Sequence, residues 1–462
     1  MSEGATRVAV IGAGPAGATA AYCLAKAGAE VDVYEASGGV GGMARSIELW
    51  GQTVDIGPHR FVSSDQRVNE LWLEVIGGDY EMVRRHSRVL VNGRLYHYPP
   101  RPREALAALG PLEAARCLAS YAGRPRDPGG TFASWATARF GERLYRHGLA
   151  AYAEKIWGRP AEELDAELAR QRLGDPAEHA GEFPHPRQGT GEVYARMCEH
   201  VEKQGGRVHL DTPVARLVLD GDRVTGVQLN SAEIVEHDHV VSSMPLTALA
   251  ARLPGVPEEV AAATARLAFR NSVVVYLRTT AESVFPDTWL YVPGPELRAG
   301  RITNFDNWVP STKRGERETV LALEYWCDPG DDFWRWDDER YVALARRELA
   351  STGLAEAGEI IDGEVMRVPK SCPVYRRGFR DDLRVIAGHL RRLRGLQVIG
   401  RYGAFRYNSQ ADSILMGLLA AQNVTAGAGH DLWSLDGHDP RAGGTRITAT
   451  GLAPTRPSPR RR

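Results

Sequence analysis

The first apolar positions of the chain fall in two strand-length runs around a helical stretch. Val8–Ile11 is continuous and apolar, an Ala-rich segment from about Pro15 to Ala27 follows, and Val31–Tyr34 is a second apolar run. The turn after the first run reads Gly12-Ala13-Gly14-Pro15-Ala16-Gly17, and the second run ends on Glu35. This is a strand–helix–strand unit with the dinucleotide fingerprint in its expected context. Gly12 permits the tight turn, Gly14 lets a pyrophosphate approach the backbone, and Gly17 lets the helix pack close to the strand. The helix N-terminus then offers N–H groups and a positive dipole end to the phosphates, with Pro15 and Ala16 in its first turn. Glu35 stands where a carboxylate accepts hydrogen bonds from ribose hydroxyls.

Downstream the pattern changes period. Helical spacing dominates residues 100–180, above all in Glu104–Tyr121 and Trp135–Trp157. A helix is predicted over 189–201, then strands at Arg207–Leu210, Val214–Leu219 and Val224–Leu229, with Asp220-Gly221-Asp222 as a turn. A short strand from His239 ends at Pro245. Apolar, β-branched runs at Ser272–Leu277, Trp289–Val292 and Thr319–Tyr325 suit a mixed sheet, with loops at 293–300 and 310–318. Near the end, Gln397–Arg401 reads as a strand meeting Gly400, and a helix is expected from near Ser413 to Gln422. The Pro/Arg/Thr-rich stretch 443–462 is expected to be a disordered tail.

Composition narrows the function classes. At 462 residues the chain is long enough for two or three domains. A net charge of -1 gives no bulk attraction to nucleic acid or to an anionic membrane. No apolar run reaches membrane-spanning length. The five cysteines form no CxxC pair, and His185 and His209 have no partner at metal-ligand spacing, so free thiols and no metal site are expected. The first strand begins within a few residues of Met1 with no signal sequence ahead of it, which points to a cytoplasmic protein.

A second Gly-rich loop, Gly38 to Ser46, follows the ribose-binding acid directly. It resembles the second phosphate-side motif of the amine oxidase and protoporphyrinogen oxidase flavoproteins. The resemblance implies FAD, with Gly41, Gly42, Met43 and Arg45 beside the diphosphate and ribityl chain. Gly57-Pro58-His59-Arg60-Phe61 resembles the motif of the UDP-galactopyranose mutase branch whose His lies beside the flavin. Tyr152 to Gly158 is similar to that branch's helix end bearing a substrate-side Trp, here Trp157. Phe269-Arg270-Asn271 is similar to its strand bearing a catalytic Arg. Gly400-Arg401 through Asp412, Ser413 and Ile414 resembles its C-terminal flavin motif, and the strand at Val214 the one that passes the adenine. No Cys or His sits in a flavin-attachment motif, so the FAD is expected to be non-covalent.

The resemblance covers most of residues 7–425 in patches. It implies an α/β fold: a Rossmann-like FAD-binding domain of the GR2 type, with a helical insertion and a mixed-sheet substrate domain. The expected division is 1–100, 185–250 and 390–430 for the FAD domain, 100–184 for the helical domain and 251–389 for the substrate domain. His59, Arg270 and Arg301 are the candidate catalytic residues, and Trp157, Tyr375 and Tyr407 the candidate substrate contacts. Two departures matter. The mutases carry Tyr-Tyr-Pro where this chain has Ser371-Cys372-Pro373, with Tyr375 nearby as a substitute, and their uridine segment is poorly matched at Arg172–Pro176. Two reactions on a small molecule follow: hydride transfer to flavin N5, or pyranose/furanose interconversion of a nucleotide sugar using reduced FAD as nucleophile.

Replacing Gly14 by Val puts a branched side chain against the pyrophosphate. The G14V protein is expected to purify without the yellow cofactor, and retained flavin absorbance would refute the phosphate-loop reading.

Overall fold

The apolar runs of the fingerprint, Arg7–Ile11 and Glu30–Tyr34, lie side by side in a five-stranded sheet. Its order is Leu396–Val398, His239–Ser242, Arg7–Ile11, Glu30–Tyr34, Arg207–His209, and every neighbouring pair is parallel. Such a sheet is covered on its faces, which is why its strands are apolar runs rather than alternating ones. The computed structural model describes residues 5–98, 104, 109–173, 181–281, 284–309, 318–434 and 444–455.

Close backbone packing holds the helix Pro15–Lys26 at the end of the first strand. A Cβ on Gly17 would lie 1.8 Å from the Gly12 carbonyl oxygen. On its other side runs the helix Gln410–Ala426, where a Cβ on Gly417 would lie 2.4 Å from the Ala16 carbonyl oxygen. Both helices are Ala-rich and bury most of their residues, so little but backbone and methyl groups separates them.

The second sheet has seven strands in the order Ile360–Val374, Ala268–Thr279, Thr319–Cys327, Arg301–Asn304, Trp289–Tyr291, Ser87–Val91, Arg94–His97. It is antiparallel except between Trp289–Tyr291 and Ser87–Val91. Two expectations are corrected here. The hairpin 87–97 belongs to the substrate sheet, so segment 1–100 is not wholly part of the dinucleotide domain. Its parallel partner lies some two hundred residues away, and local alternation carries no sign of such a partner. The 15-residue strand Ile360–Val374, which contains Pro369 and Pro373, was not among the expected strands. It lies at the sheet edge, where prolines are tolerated.

The helical insertion supplies Phe132–Phe140, Ala150–Trp157 and Ala166–Leu173, with an outer helix Pro111–Ala122. Phe132, Trp157 and Leu164 share one core with Tyr375, Phe379 and Phe405. This seats the insertion against the end of the long edge strand and the C-terminal motif.

The expected disordered tail is corrected for the described part of 443–462. Thr445–Thr448 and Gly451–Pro454 pair as a hairpin. It docks on the helix Gln66–Ile76 through Asn69 Nδ2, which donates to the Thr445 carbonyl at 3.2 Å, while Tyr80 donates to the Thr448 carbonyl at 2.6 Å. Composition missed this because a two-stranded ribbon is stabilised by its docking rather than by its own sequence. Residues 456–462 of the tail and 310–317 of the expected loop lie outside the described residues. All five cysteines are free thiols. Among the described residues no helix is long and apolar enough to cross a membrane.

The contact at Gly417 sets two effects against each other. Helix propensity alone favours Ala over Gly by about 1 kcal/mol, whereas overpacking against rigid backbone costs about 1–3 kcal/mol. The G417A protein is expected to unfold at lower urea concentration than wild type; a raised midpoint would show that the two helices can part freely.

Candidate active site

The first region of the site is a cradle of bare backbone. The helix Pro15–Lys26 begins at Gly14 with no side-chain cap on its N–H groups. Facing it is Gly42, where a Cβ would come within 3.1 Å of the Gly14 Cα. Glu35 is held in place by the backbone N–H of Ala13 at 2.8 Å on Oε2 and by Ser37 N and Oγ at 2.9 and 2.8 Å on Oε1. Oε2 therefore keeps a lone pair for a ribose hydroxyl. Gly41, at φ 100°, packs on the backbone of Arg45. Arg45 Nε is buried with no partner among the described residues, and an unmet buried donor calls for an acceptor. Gly400, at φ 82°, lets the C-terminal motif touch Ala16. Val214 is buried with its carbonyl accepting from Arg252, and Met43 packs toward the second sheet. An uncapped helix end, two side-chain-free loops and an orphaned guanidinium nitrogen fit an extended dinucleotide, so these residues would hold FAD.

The C-terminal turn is arranged differently from expectation. The helix starts at Gln410, capped by Ser409, and Asp412 closes the capping box by accepting from Ser409 N and Oγ at 2.9 and 2.8 Å. Ser413 Oγ donates back to the Ser409 carbonyl and Ile414 is fully buried. The side chains of Asp412, Ser413 and Ile414 thus serve the turn itself, and a cofactor beside them meets backbone.

The second region centres on His59. It follows Gly57, at φ 84°, and Pro58, in a loop leaving the strand Gln52–Asp55. A Cβ on Gly57 would meet the Glu324 carboxylate at 3.3 Å. Arg301 grips Glu324 with two hydrogen bonds, one of them 2.6 Å from Nε to Oε1. Behind the loop the buried Asp55 accepts from Ser46 Oγ at 2.5 Å, Thr190 N at 3.0 Å and Thr190 Oγ1 at 2.6 Å. Asp55 thereby ties the Arg45–Ser46 loop, the start of the helix Gly191–Lys203 and the His59 loop together. His59 Nδ1 is buried with no partner among the described residues. Burial lowers the pKa of His59 below the usual imidazole value; Asp55 and Glu324 oppose the shift, while Arg301 and Arg401 reinforce it. Burial thus favours the neutral imidazole at His59. Burial works against the charge of Arg301, but Glu324 outweighs it and the guanidinium stays protonated.

The third region gathers cations and aromatic rings. Arg270 is buried, donates from Nη1 to Asp328 at 3.2 Å, and leaves Nε with no partner among the described residues. Gly158 ends the helix Ala150–Trp157 at φ 65°, and a Cβ there would lie 1.5 Å from Arg270 Nη1. A side chain there would displace the Arg270 guanidinium. Trp157, 2% exposed, likewise has an Nε1 with no partner among the described residues. Tyr407 meets Trp157 edge-on at 6.5 Å, with Arg401 4.0 Å and Arg172 5.4 Å from its ring centre. Cys372 faces Arg270 across the sheet, and burial raises its thiol against the fields of Arg401, Arg270 and Arg172.

Tyr375, expected to reach substrate, accepts from the Tyr407 N–H at 2.7 Å through its hydroxyl, and its ring stacks on Phe379 at 4.2 Å. It braces Tyr407. Sequence reading missed Asp55, Arg172 and Glu324. Asp55 carried a usable signal, two residues before the Gly57-Pro58-His59 turn. Arg172 and Glu324 sit in an ordinary helix and an ordinary strand and gave none. A further group, Glu113, Cys117 and His147, clusters in the insertion. Glu113 there accepts from His147 and is neutralised by Arg143 and Arg116, so it serves as an ion-pair hub.

His185, 4% exposed, lies 3.9 Å from Asp55 and edge-on to Trp308. Burial lowers its pKa, partly offset by Asp55. The unfolded chain therefore takes up a proton near pH 6.5 that the folded chain resists. Stability present above that pH is lost as pH falls below it, at up to about 1.4 kcal/mol per pH unit for each such group. The H185Q variant is expected to show a shallower loss of unfolding free energy between pH 6.5 and 5. An unchanged slope would assign the acid sensitivity elsewhere.

With this geometry in place, comparison with known proteins is informative. Residues 15–425 match the family model described as flavin containing amine oxidoreductase. A zeta-carotene-forming phytoene desaturase from Myxococcus xanthus is 29% identical over 280 residues, covering 52% of this chain and 53% of that protein. An L-amino-acid oxidase from Crotalus adamanteus is 37% identical over 112 residues, 21% of this chain and 22% of the oxidase. The chain thus spans about half the length, or less, of these curated relatives. Among solved structures, reduced UDP-galactopyranose mutase superposes with a TM-score of 0.80 at 22% identity, over 92% of this chain and 97% of that one. Putrescine oxidase superposes with a TM-score of 0.63 at 18% identity, over 91% and 99%. At these identities the likeness is one of fold: a parallel FAD-binding sheet joined to a mixed substrate sheet. The match across residues 15–425 and the cradle that fits FAD give one conclusion: this chain belongs to the flavin-containing amine oxidoreductase family.

Proposed function

We propose that this FAD enzyme acts on a diphosphate-linked sugar held by the cluster of Arg270, Arg172 and Arg401, and that its reaction is the interconversion of the sugar's ring forms. The observation that carries the reading is the pair of buried, unmet donors, Arg270 Nε and Trp157 Nε1. They lie in a wall that also presents Arg172 and Arg401 around Tyr407. Unsatisfied buried donors cost about 1–3 kcal/mol each, so they call for a ligand rich in acceptors. A cationic wall repels an ammonium substrate such as the putrescine bound by putrescine oxidase. A hydrocarbon of the kind a carotenoid desaturase handles would leave the donors unmet. A diphosphate satisfies both the charge and the donors.

FAD, when bound, supplies an N5 that serves as nucleophile in its reduced form and as hydride acceptor in its oxidised form. The chain supplies the rest. Arg270, Arg172 and Arg401 hold the diphosphate and offset the charge that develops as it leaves the anomeric carbon. Neutral His59 presents a ring nitrogen to a hydroxyl or to the flavin edge and can pass a proton near neutral pH. The Arg301–Glu324 pair fixes the loop that carries it. A second reading, hydride removal from an anionic small molecule, is favoured by Cys372, which lies in this wall and cannot offer the phenol donor of the mutase motif.

The test uses holoenzyme reduced under anaerobic conditions and incubated with UDP-, GDP- and TDP-hexoses. The expected outcome is a furanose product that forms only with reduced flavin. The R270M variant should keep its flavin and lose turnover by about 10² or more. No isomer across the panel, together with an anionic compound that bleaches the oxidised flavin, would replace this reading by the second.

A further inference from the structure

The chain has five lysines against fifty-two arginines, so a lysine at a built site marks a place where a guanidinium does not serve. Lys155 is such a place. Its ammonium donates to the carbonyls of Val292 at 2.9 Å, Leu297 at 2.8 Å and Ala299 at 3.2 Å, and to that of Gly294. Four carbonyls converging on one point suit a compact ion with rotatable donors; a planar fork would have to spread them apart. The stem is fitted too, since a Cβ on Gly300 would sit 3.3 Å from Lys155 Cδ.

The loop that supplies these carbonyls is held from its other side by an anion. The Glu348 carboxylate accepts from the backbone N–H groups of Arg298 and Ala299 and from the Tyr325 hydroxyl. The loop thus rests between one ammonium and one carboxylate, and it runs directly into Arg301. Lys155 comes from the helical insertion, two residues before Trp157.

We propose that Lys155 is a positioning residue, a latch that fixes the end of the insertion helix to the loop 292–300 and so sets Trp157, two residues along the helix, relative to Arg301, which the loop runs into. The mechanical half stands on the hydrogen bonds alone; the functional half rests on the arginine cluster being the substrate site. Loss of the ammonium frees four carbonyls, the loop follows solvent rather than the helix, and Trp157 and Arg301 lose their common reference.

The test begins with wild-type holoenzyme and limiting acetic anhydride. Lys155 is expected to be acetylated far more slowly than Lys203, whose side chain is 73% exposed; equal rates would overturn the latch. The holoenzymes K155M and K155R are then compared by hydrogen exchange and by binding of UDP and inorganic pyrophosphate. Both should retain flavin, exchange amides over 291–304 about tenfold faster, and bind the probes about tenfold more weakly. In K155A, propylammonium replaces the missing atoms and should restore loop protection and probe binding, whereas tetramethylammonium should not. An unchanged loop and unchanged affinity in K155M and K155R would overturn the proposal. If wild type binds neither probe, the substrate reading fails, while acetylation and loop exchange still decide the latch.

Discussion

The architecture depends on backbone meeting backbone around the helix Pro15–Lys26. Gly17 lets this helix sit on the turn at Gly12, Gly42 lets the second loop close over Gly14, and Gly417 lets the C-terminal helix lie along its flank. A single Cβ at any of these points would collide with main chain or push the loops apart. Segments from both ends of the sequence therefore converge on one helix N-terminus. Its unpaired N–H groups and positive dipole end become the fixed electrostatic feature from which the cofactor site is built.

Beyond the cradle, the site is an exercise in holding cations away from water. Arg301 is matched by Glu324, and Arg270 is only partly matched by Asp328. Arg172 and Arg401 use the face of Tyr407. Fully paired arginines would leave nothing to bind with, and unpaired ones would be expensive to bury. Partial pairing leaves Arg270 Nε buried without a partner among the described residues. The same economy governs His59, whose neutral ring lies between two carboxylates and two guanidiniums.

How legible this was depended on range. The fingerprint Gly12 to Gly17, the acid Glu35, the loop at Gly41–Arg45 and the turn at Gly57–His59 each act over a few residues, and their chemistry is written locally. The seven-stranded sheet was only half legible. Its central strands are apolar runs, but the 87–97 hairpin joins through a partner far along the chain, and the Pro-containing edge strand was not among the expected ones. Within the site, Arg270 and Arg301 were visible as strand arginines, whereas Glu324 and Asp328 gain meaning only as their partners. Tyr375 shows the same from the other side: that its hydroxyl accepts from the Tyr407 N–H is visible only in the fold.

The sequence by itself determined the dinucleotide-binding unit, the second glycine loop that points to FAD, and the α/β order of the elements. These depend on turn geometry, helix ends and hydrophobic period, all set by neighbouring residues. Tertiary structure alone decided which charges meet and which donors remain unmet. It placed Lys155 under the loop 292–300, Glu324 behind Gly57, and Gly158 beneath the Arg270 guanidinium. Side-chain electrostatics act through space over a few ångströms, and the contacts that set them join residues from 23 positions apart, as in Arg301–Glu324, to more than a hundred, as at Lys155, separations that no local pattern encodes.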